Sequence, residues 1–480
     1  MLAHRLACTD PPVNLLSRVQ ALMVDFFWDR MHWVPQSVLF LPKEEGGHGL
    51  VHLASRGAAF RLRFVQRFLT GPADLVWRPV ARALLERCGG LGLAESLFLM
   101  DLKGLRLNNL SGFYGGLFKV WGLLRKERPD CCGSLFWLLR EPVVRGSRFV
   151  CGVGPSLQQR EERILTLGQV VEVCGPRLDN AAGLASRLSL RSVRVVSLLL
   201  QSWKQQLSQS ELALIAAHCN GLKSPNDNDS FPEMLCFPDL SCEGFLLKLN
   251  NVTDFKFSTM SNKTCYYLVT KVLNQSRLQE RVDTQWRAHL GLTEAQRPEW
   301  RALYKPPLTK RGGDLQWRVL HAAVAVNAFV SVINPTVSDA CPFCEQRETI
   351  FHCFTECGRL FCLFQLLAQM LILFNVVFSK SMFILGWRYS QKQKCKSQLL
   401  NFLLGQAKMA IYLSRRNKVA ESLDTDAVLI FKRMVKARLK TDYSYFCLTK
   451  NVGEFEAMWC LKNALCSVVN EDLIFSRFLN

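Results

Sequence analysis

The chain has 480 residues, 49% hydrophobic and 21% charged, which is enough apolar material for about two to four domains and too much for an intrinsically disordered chain. It carries 60 Lys and Arg against 40 Asp and Glu, a net charge of +20, divided as 27 basic and 17 acidic residues in 1–215, 9 and 10 in 216–300, and 24 and 13 in 301–480. Two basic blocks around a near-neutral middle point to a polyanionic partner, nucleic acid or a membrane surface, with Lys/Arg-rich helix faces of a soluble protein as the plain alternative. The 19 cysteines are odd in number and scattered, and MLAHRLACTDPP does not read as a secretory signal. Reduced thiols in an intracellular protein are expected, not a disulfide framework.

In chain order, Leu15, Leu16, Val19, Leu22, Met23, Phe26 and Phe27 recur at helical spacing and predict a helix over 13–30, begun by Asn14 or the Pro11-Pro12 pair. Ser37 to Leu41 reads as a short strand or extended segment, followed by a turn at Gly46, Gly47 and Gly49. A second helix over 54–69 carries Arg56, Arg61, Arg63 and Arg67, with Phe60, Phe64 and Phe68 on its apolar side. Those rings are read as core and not as a base-stacking platform. From 71 to 215, apolar helical runs alternate with expected breaks at Gly89-Gly90, Gly115-Gly116 and Gly152 to Pro155, and 183–215 reads as two helices. GLKSPNDNDSFPEM, 221–234, is the expected linker; 243–290 mixes a possible hairpin, with FLLKL and FKF, and a helix begun by Ser261 or Asn262.

The C-terminal part opens with a helix over 314–329, Asp314 its expected N-cap, and then the run CPFCEQRETIFHCFTEC. Cys341 and Cys344 stand two residues apart, His352 follows after seven more and Cys357 after another four. A Cys-x2-Cys turn lets two thiolates reach one ion, and a helix from about Ile350 sets His352 and Cys357 roughly a turn apart on one side. Three thiolates and an imidazole suit one structural zinc, with no open position for substrate water. The bland alternative is a chance Cys-x2-Cys in a cysteine-rich chain; Cys353 is the rival ligand, pointing around the helix. Leu360 to Phe378 is apolar enough to raise a membrane span, but Gln365, Gln369 and Asn375 favour a buried core helix. Cys357 to Ala420 contains no Asp or Glu and ten Lys or Arg. Arg388, Lys392, Lys394, Lys396, Arg415 and Arg416 are its candidate phosphate contacts, with solvated helix faces as the plain alternative.

The order of these features resembles the zinc-binding segment at the C-terminal end of LINE-type (non-LTR) retrotransposon reverse transcriptases. The resemblance rests on Gly313-Asp314-Leu315-Gln316-Trp317 entering a helix, His321 one turn on, the Cys-x2-Cys with Glu348 and His352, and the late AKMAIYLSRR, over residues 300–418. DFFWDRMHWVPQSVLFLPKEEGGHGL and AAFRLRFVQRFL, within 22–70, look like the segment that follows the polymerase palm. The resemblance implies a mostly α protein with a thumb-like post-palm segment over 1–75, a helical middle over 76–220, a linker and small mixed segment over 221–299, the zinc-binding domain over 300–420 and a helical tail over 421–480. It also implies binding to the RNA of the parent element and to target DNA, in nucleus and cytoplasm, with no membrane and no small-molecule substrate. The palm's paired carboxylates are missing: the chain has no Asp-Asp, and Asp227 with Asp229 and Asp424 with Asp426 read as loop or cap residues. No phosphate-binding loop, His-Glu-x2-His or Gly-x-Ser-x-Gly occurs, so no catalysis is expected. A zinc-stapled interaction module and a decayed copy without selected function are the competing readings.

Overall fold

The structure, a computed structural model, describes residues 9, 11–12, 14–28, 34–72, 74–87, 93–100, 110–122, 125–127, 135–143, 149, 166–221, 234–236, 255–256, 260–274, 277–278, 283–293 and 296–480. It is mostly helical, as expected, and divides into two compact units. The first contains residues 1–23, 51–240 and 248–275; the second contains 24–50, 241–247 and 276–480. Helix α1 (Leu15–Trp28) passes from one to the other.

In the first unit, α2 (Leu53–Thr70) packs against α4 (Gly112–Gly122) and α9 (Asn262–Leu273), with α3 (Trp77–Glu86) alongside. Leu62, Val65, Phe68, Phe98, Trp121, Leu268 and Val269 form the shared core. Phe68 is fully buried and Phe64 packs 4.7 Å from the Trp77 ring, so these two belong to the core, whereas Phe60 is half-buried with Arg56 over its ring. The basic face of α2 is thinner than its sequence suggested. Arg61 is buried over the Phe113 ring, and burial lowers the pKa of its guanidinium; Arg63 donates to the Met260 carbonyl. Gly115-Gly116, expected to break the chain, lies inside α4. A Cβ on Gly116 would sit 2.8 Å from Arg61 Nε, so the small residue serves close approach of two helices, which outweighs its poor helix propensity.

A second core in this unit gathers α5 (Leu167–Cys174), α6 (Ala181–Arg187), α7 (Val193–Gln205) and α8 (Gln209–Cys219) around Val170, Leu184, Leu199, Trp203 and Ile215. Each of these helices starts on a side-chain cap: Thr166, Asn180, Ser192 and Ser208, the first and last closing capping boxes with Gln169 and Glu211. Strands β1 (Arg125–Glu127), β2 (Met234–Cys236) and β3 (Phe255–Lys256) pair antiparallel in that order. Gly89-Gly90, Gly152 to Pro155, most of the expected linker and FLLKL fall outside the described residues.

The second unit is built around one helix. Its elements are α10 (Asp283–Leu290), α11 (Lys310–Leu320), α12 (Asn327–Ile333), α13 (Phe361–Ile372), α14 (Lys380–Leu385), α15 (Lys394–Val419), α16 (Ala427–Leu448) and α17 (Val452–Trp459). A hairpin of β4 (Cys466–Val469) and β5 (Asp472–Phe475) ends the chain, turning at Asn470 and Glu471 with φ of 51° and 66°. The tail is therefore helical only in part. Every residue of α15 from Ser397 to Ile411 is buried, because α11, α13, α16 and α17 surround it. Its polar positions are answered locally: Asn401 accepts from the Trp387 amide at 2.9 Å and donates to the Trp387 carbonyl at 2.8 Å.

Two expectations fail here for identifiable reasons. Ser37–Leu41 is not a strand: Gln36–Leu39 forms a single helical turn after Pro35, and the Leu39 carbonyl accepts from the amides of His48 and Leu50 instead of from a neighbouring strand. Five residues, four of them apolar, are too few for periodicity to decide. The expected helix over 314–329 is two helices. Thr309, not Asp314, caps α11, and the chain turns at Ala322 with φ of 52° before α12 begins. Asp314 instead accepts from the Tyr304 hydroxyl at 3.0 Å. Gly313 has no room for a side chain, since a Cβ would stand 2.3 Å from the Leu303 carbonyl oxygen. Gly46, with φ of 81° and the Trp300 ring against it, offers its carbonyl to Trp317 Nε1 and His321 Nε2, each at 2.8 Å. Leu360–Phe378 resolves into α13, with Leu363, Leu367, Met370 and Leu371 buried, ended by Asn375 at φ 55°. No helix among the described residues is long and apolar enough to cross a membrane.

Lys408 lies fully buried in α15, its Nζ donating to the Ile384 carbonyl at 3.3 Å beside the Phe383 ring. Burial without a counter-charge pushes its pKa down to about 7. The unfolded chain then binds more protons than the folded one between about pH 7 and its ordinary value, so stability rises with pH across that window and the full cost is present below it. Lys408→Met should raise the unfolding free energy at pH 7 by a few kcal/mol, one pKa unit being worth about 1.4 kcal/mol, and flatten the pH dependence. Urea titrations between pH 6 and 10 check both outcomes.

Candidate metal centre and basic face

The knuckle is shaped by its backbone before its thiols. Ala340 and Arg347 form an antiparallel bridge, the Cys341 amide donates to the Gln346 carbonyl at 2.6 Å, and the Glu345 amide donates to the Cys341 carbonyl at 3.0 Å. Glu345 takes φ 63° to close the turn. This brings Cys341 and Cys344 to one side. The second pair comes from a helical turn that opens at Ile350 and widens over His352–Glu356 into a π-helical turn. The Cys357 amide donates to the His352 carbonyl at 2.9 Å, an i to i+5 bond. In a regular α-helix, residues five apart diverge by about 140°; the wider turn stacks them. The inserted residue is what puts His352 and Cys357 on one side.

The four candidate ligand atoms lie within 4.8 Å of one another. Cys341 Sγ is 4.0 Å and Cys344 Sγ 3.8 Å from Cys357 Sγ, and Cys344 Sγ is 3.1 Å from His352 Nε2. Metal–sulfur bonds of about 2.3 Å in a tetrahedron place sulfurs about 3.8 Å apart, so the spacing fits a Cys3His zinc site. Cys341, His352 and Cys357 are buried and Cys344 is exposed. Burial pushes the Cys357 thiol up to about 11, so a bound cation is what would hold it as thiolate. Cys353 faces the other way, its Sγ 3.9 Å from an Arg359 nitrogen, with burial pushing its thiol up to about 12.

Glu348 ties this knuckle to α15. Its side chain is 1% exposed and receives Arg415 Nε and an Arg415 terminal nitrogen, each at 2.7 Å, one on each carboxylate oxygen. The Asn327 amide at the start of α12 donates to the same carboxylate at 2.7 Å, and Asn327 Oδ1 accepts from Arg415 at 2.8 Å. Burial works against the Arg415 charge, but Glu348 outweighs it and holds the guanidinium above its ordinary pKa. A second strap is Arg359, which stacks 4.1 Å from the Phe343 ring and donates to Ser414 on α15 at 2.9 Å.

The six candidate basic residues do not form one patch. Arg388, Lys392 and Lys394 are exposed around the start of α15, and Lys396 is half-buried with its ammonium 5.8 Å from the Trp387 ring. Arg416 is exposed near the other end, about 30 Å away at 1.5 Å per residue. Arg415 is turned inward and committed to Glu348. Nothing local to Arg415 signals that pairing, because its carboxylate lies outside the acid-free stretch.

Breaking a buried ion pair from one side strands the other charge. Arg415→Met should therefore lower stability by about 3–5 kcal/mol, whereas Arg416→Met, at an exposed neighbour, should change it by less than about 0.5 kcal/mol. Chemical denaturation of both variants compares them directly.

No family model matches the sequence. The chain is similar to a curated protein of Xenopus laevis described as "Transposon TX1 uncharacterized 149 kDa protein", 29% identical over 487 aligned residues. The alignment covers 98% of this chain and 37% of that protein, so the chain spans little more than a third of its relative's length. Along nearly its whole extent, then, the sequence is similar to a transposon-encoded protein.

Proposed function

We propose that the chain is a nucleic-acid-binding, zinc-containing C-terminal part of a LINE-type retrotransposon protein, with no polymerase activity of its own. The observation that carries this reading is the convergence of Cys341, Cys344, His352 and Cys357 on one point, strapped to a helix whose flanks are basic. The transposon relative supports the origin. One zinc, held by these four side chains, would supply a closed cross-link and no reactive water. The chain's own residues do the rest. Glu348 and Arg359 fix α15 to the knuckle, and Arg388, Lys392, Lys394, Lys396 and Arg416 offer positive charge to RNA of the parent element and to target DNA. A zinc-stapled interaction module is favoured by one observation: Val332 and Ile333 on α12 are 78% and 68% exposed close to the knuckle in sequence.

Three measurements test the proposal. His352→Ala and Cys341→Ser should each reduce bound zinc from about one equivalent, while Cys353→Ser should retain it; equal loss in Cys353→Ser would overturn the ligand set. Binding of single-stranded RNA should weaken linearly in log–log terms as salt is added, with a slope of roughly −3.5 for about five phosphate contacts at about 0.7 each. RNA binding absent at low salt would leave the interaction module in front. Primer extension by the purified chain on an RNA template with magnesium would sink the non-catalytic part.

A further inference from the structure

Within the second unit, α11 and α15 lean together around a cleft of about 350 Å³ that none of the residues discussed so far explains. One wall carries Arg311, Asp314 and Arg318, at i, i+3 and i+7 on α11; the other carries Tyr412, Arg415 and Arg416, at i, i+3 and i+4 on α15. Met409, Leu315 and the 323–325 turn supply apolar lining between them. Arg415 is neutralised by Glu348, and Asp314 is engaged by the Tyr304 hydroxyl. Arg311, Arg318 and Arg416 are exposed and have no carboxylate within ion-pair distance among the described residues. Three uncommitted guanidinium groups thus face a concave space against one carboxylate. Cleft walls of low dielectric focus such a field, and planar guanidinium forks match phosphate oxygens.

We propose that this cleft seats the phosphates of a single-stranded nucleic acid, with Arg318 and Arg416 as contacts from opposite walls and Tyr412 as the ring on which a neighbouring base stacks. The proposal rests on the nucleic-acid-binding reading and locates its principal contact in the α11–α15 cleft instead of around the start of α15. A double helix presents a broad convex surface that a concavity of this size does not admit, whereas a flexible strand can feed a phosphate in and lay a base on an aromatic face. The cleft is also joined to the metal centre through a single side chain: Glu348 leaves the knuckle, grips Arg415 and so sets the α15 wall.

The test uses the full chain and a fluorescein-labelled single-stranded oligouridylate, followed by anisotropy over a salt series. Arg318→Gln with Arg416→Gln should weaken binding at least about tenfold, as loss of two charge-assisted contacts implies, and flatten the salt slope by about 1.4. Lys392→Gln with Lys394→Gln and Lys396→Gln should cost less affinity. Tyr412→Phe should bind as the parent does and Tyr412→Ala should bind more weakly. A second arm uses inorganic tripolyphosphate, which should protect the cleft arginines from modification by phenylglyoxal. Oligouridylate binding unchanged in the Arg318/Arg416 variant but lost in the lysine variant would overturn the cleft and leave nucleic-acid binding standing. Protection by tripolyphosphate with no oligouridylate bound would show an anion cleft and overturn its nucleic-acid occupant.

Discussion

Glu348 and Arg415 form two parallel hydrogen bonds with the carboxylate buried and the guanidinium nearly so, and much of the second unit's arrangement hangs on that pair. Removing two charges from water costs several kcal/mol each, which a single contact does not return. The site meets that cost with further hydrogen bonds: the Asn327 amide donates to Glu348, and the Asn327 side-chain oxygen accepts from Arg415. The result is one network holding three segments, the knuckle through Glu348, the start of α12 through Asn327, and α15 through Arg415. An apolar contact would join the same segments without fixing their angles. A bidentate fork fixes them, because it is satisfied in one geometry.

That constraint explains why the metal candidates sit where they do. The loop 340–348 is held from behind by the Asn327 side chain on the Ala340 carbonyl and by Glu348 on α15, and in front it presents Cys341 and Cys344. The π-helical turn presents His352 and Cys357 from the other side and continues through Gly358–Leu360 into α13. A cation held by the four side chains would therefore be a cross-link separate from the ion pair on the same loop. It would join the turn at 352–357 to the loop, while Arg415 and Arg359 tether the loop to α15 without it. Structural zinc contributes folding energy directly, and under the proposed reading its share would add to a scaffold that the polar network already orders.

The convergence of Cys341, Cys344, His352 and Cys357 was legible because thiol and imidazole spacing is written in the sequence, and a Cys-x2-Cys turn is local. The π-helical turn was not, since nothing in HCFTEC distinguishes an i to i+5 bond from an ordinary turn; only the requirement that His352 and Cys357 meet would have demanded it. Arg415 was misplaced on the basic face for a related reason. A charge count over 357–420 sees local neighbours, and its counter-ion stands 67 residues earlier. The same limit hid Gly116 against Arg61 and the split of the helix at Ala322, where contacts between elements override local pattern. Caps were legible only in part: Ser261, one of two expected starts, caps α9, whereas Thr309 and not the expected Asp314 caps α11, both Ser/Thr side chains closing on an amide three residues on.

The burial of α15 decides how its charges can be used. Between Ser397 and Ile411 no face of the helix reaches solvent, so the lysines around its start and Arg416 near its end cannot act as one stripe. A polyanion lying along the helix would have nothing to touch for about 20 Å, at 1.5 Å per residue. Two separate electrostatic sites follow: an exposed cluster of long, mobile lysine stems at one end and a walled cleft at the other. Mobile, solvated lysines contribute chiefly to encounter and to salt dependence, because their charges are screened and their side chains lose entropy on contact. On the proposed reading, arginines carried on two packed helices would place a strand that the lysines had captured. That division of labour would follow from a single physical fact, a helix too deeply buried to be charged in its middle.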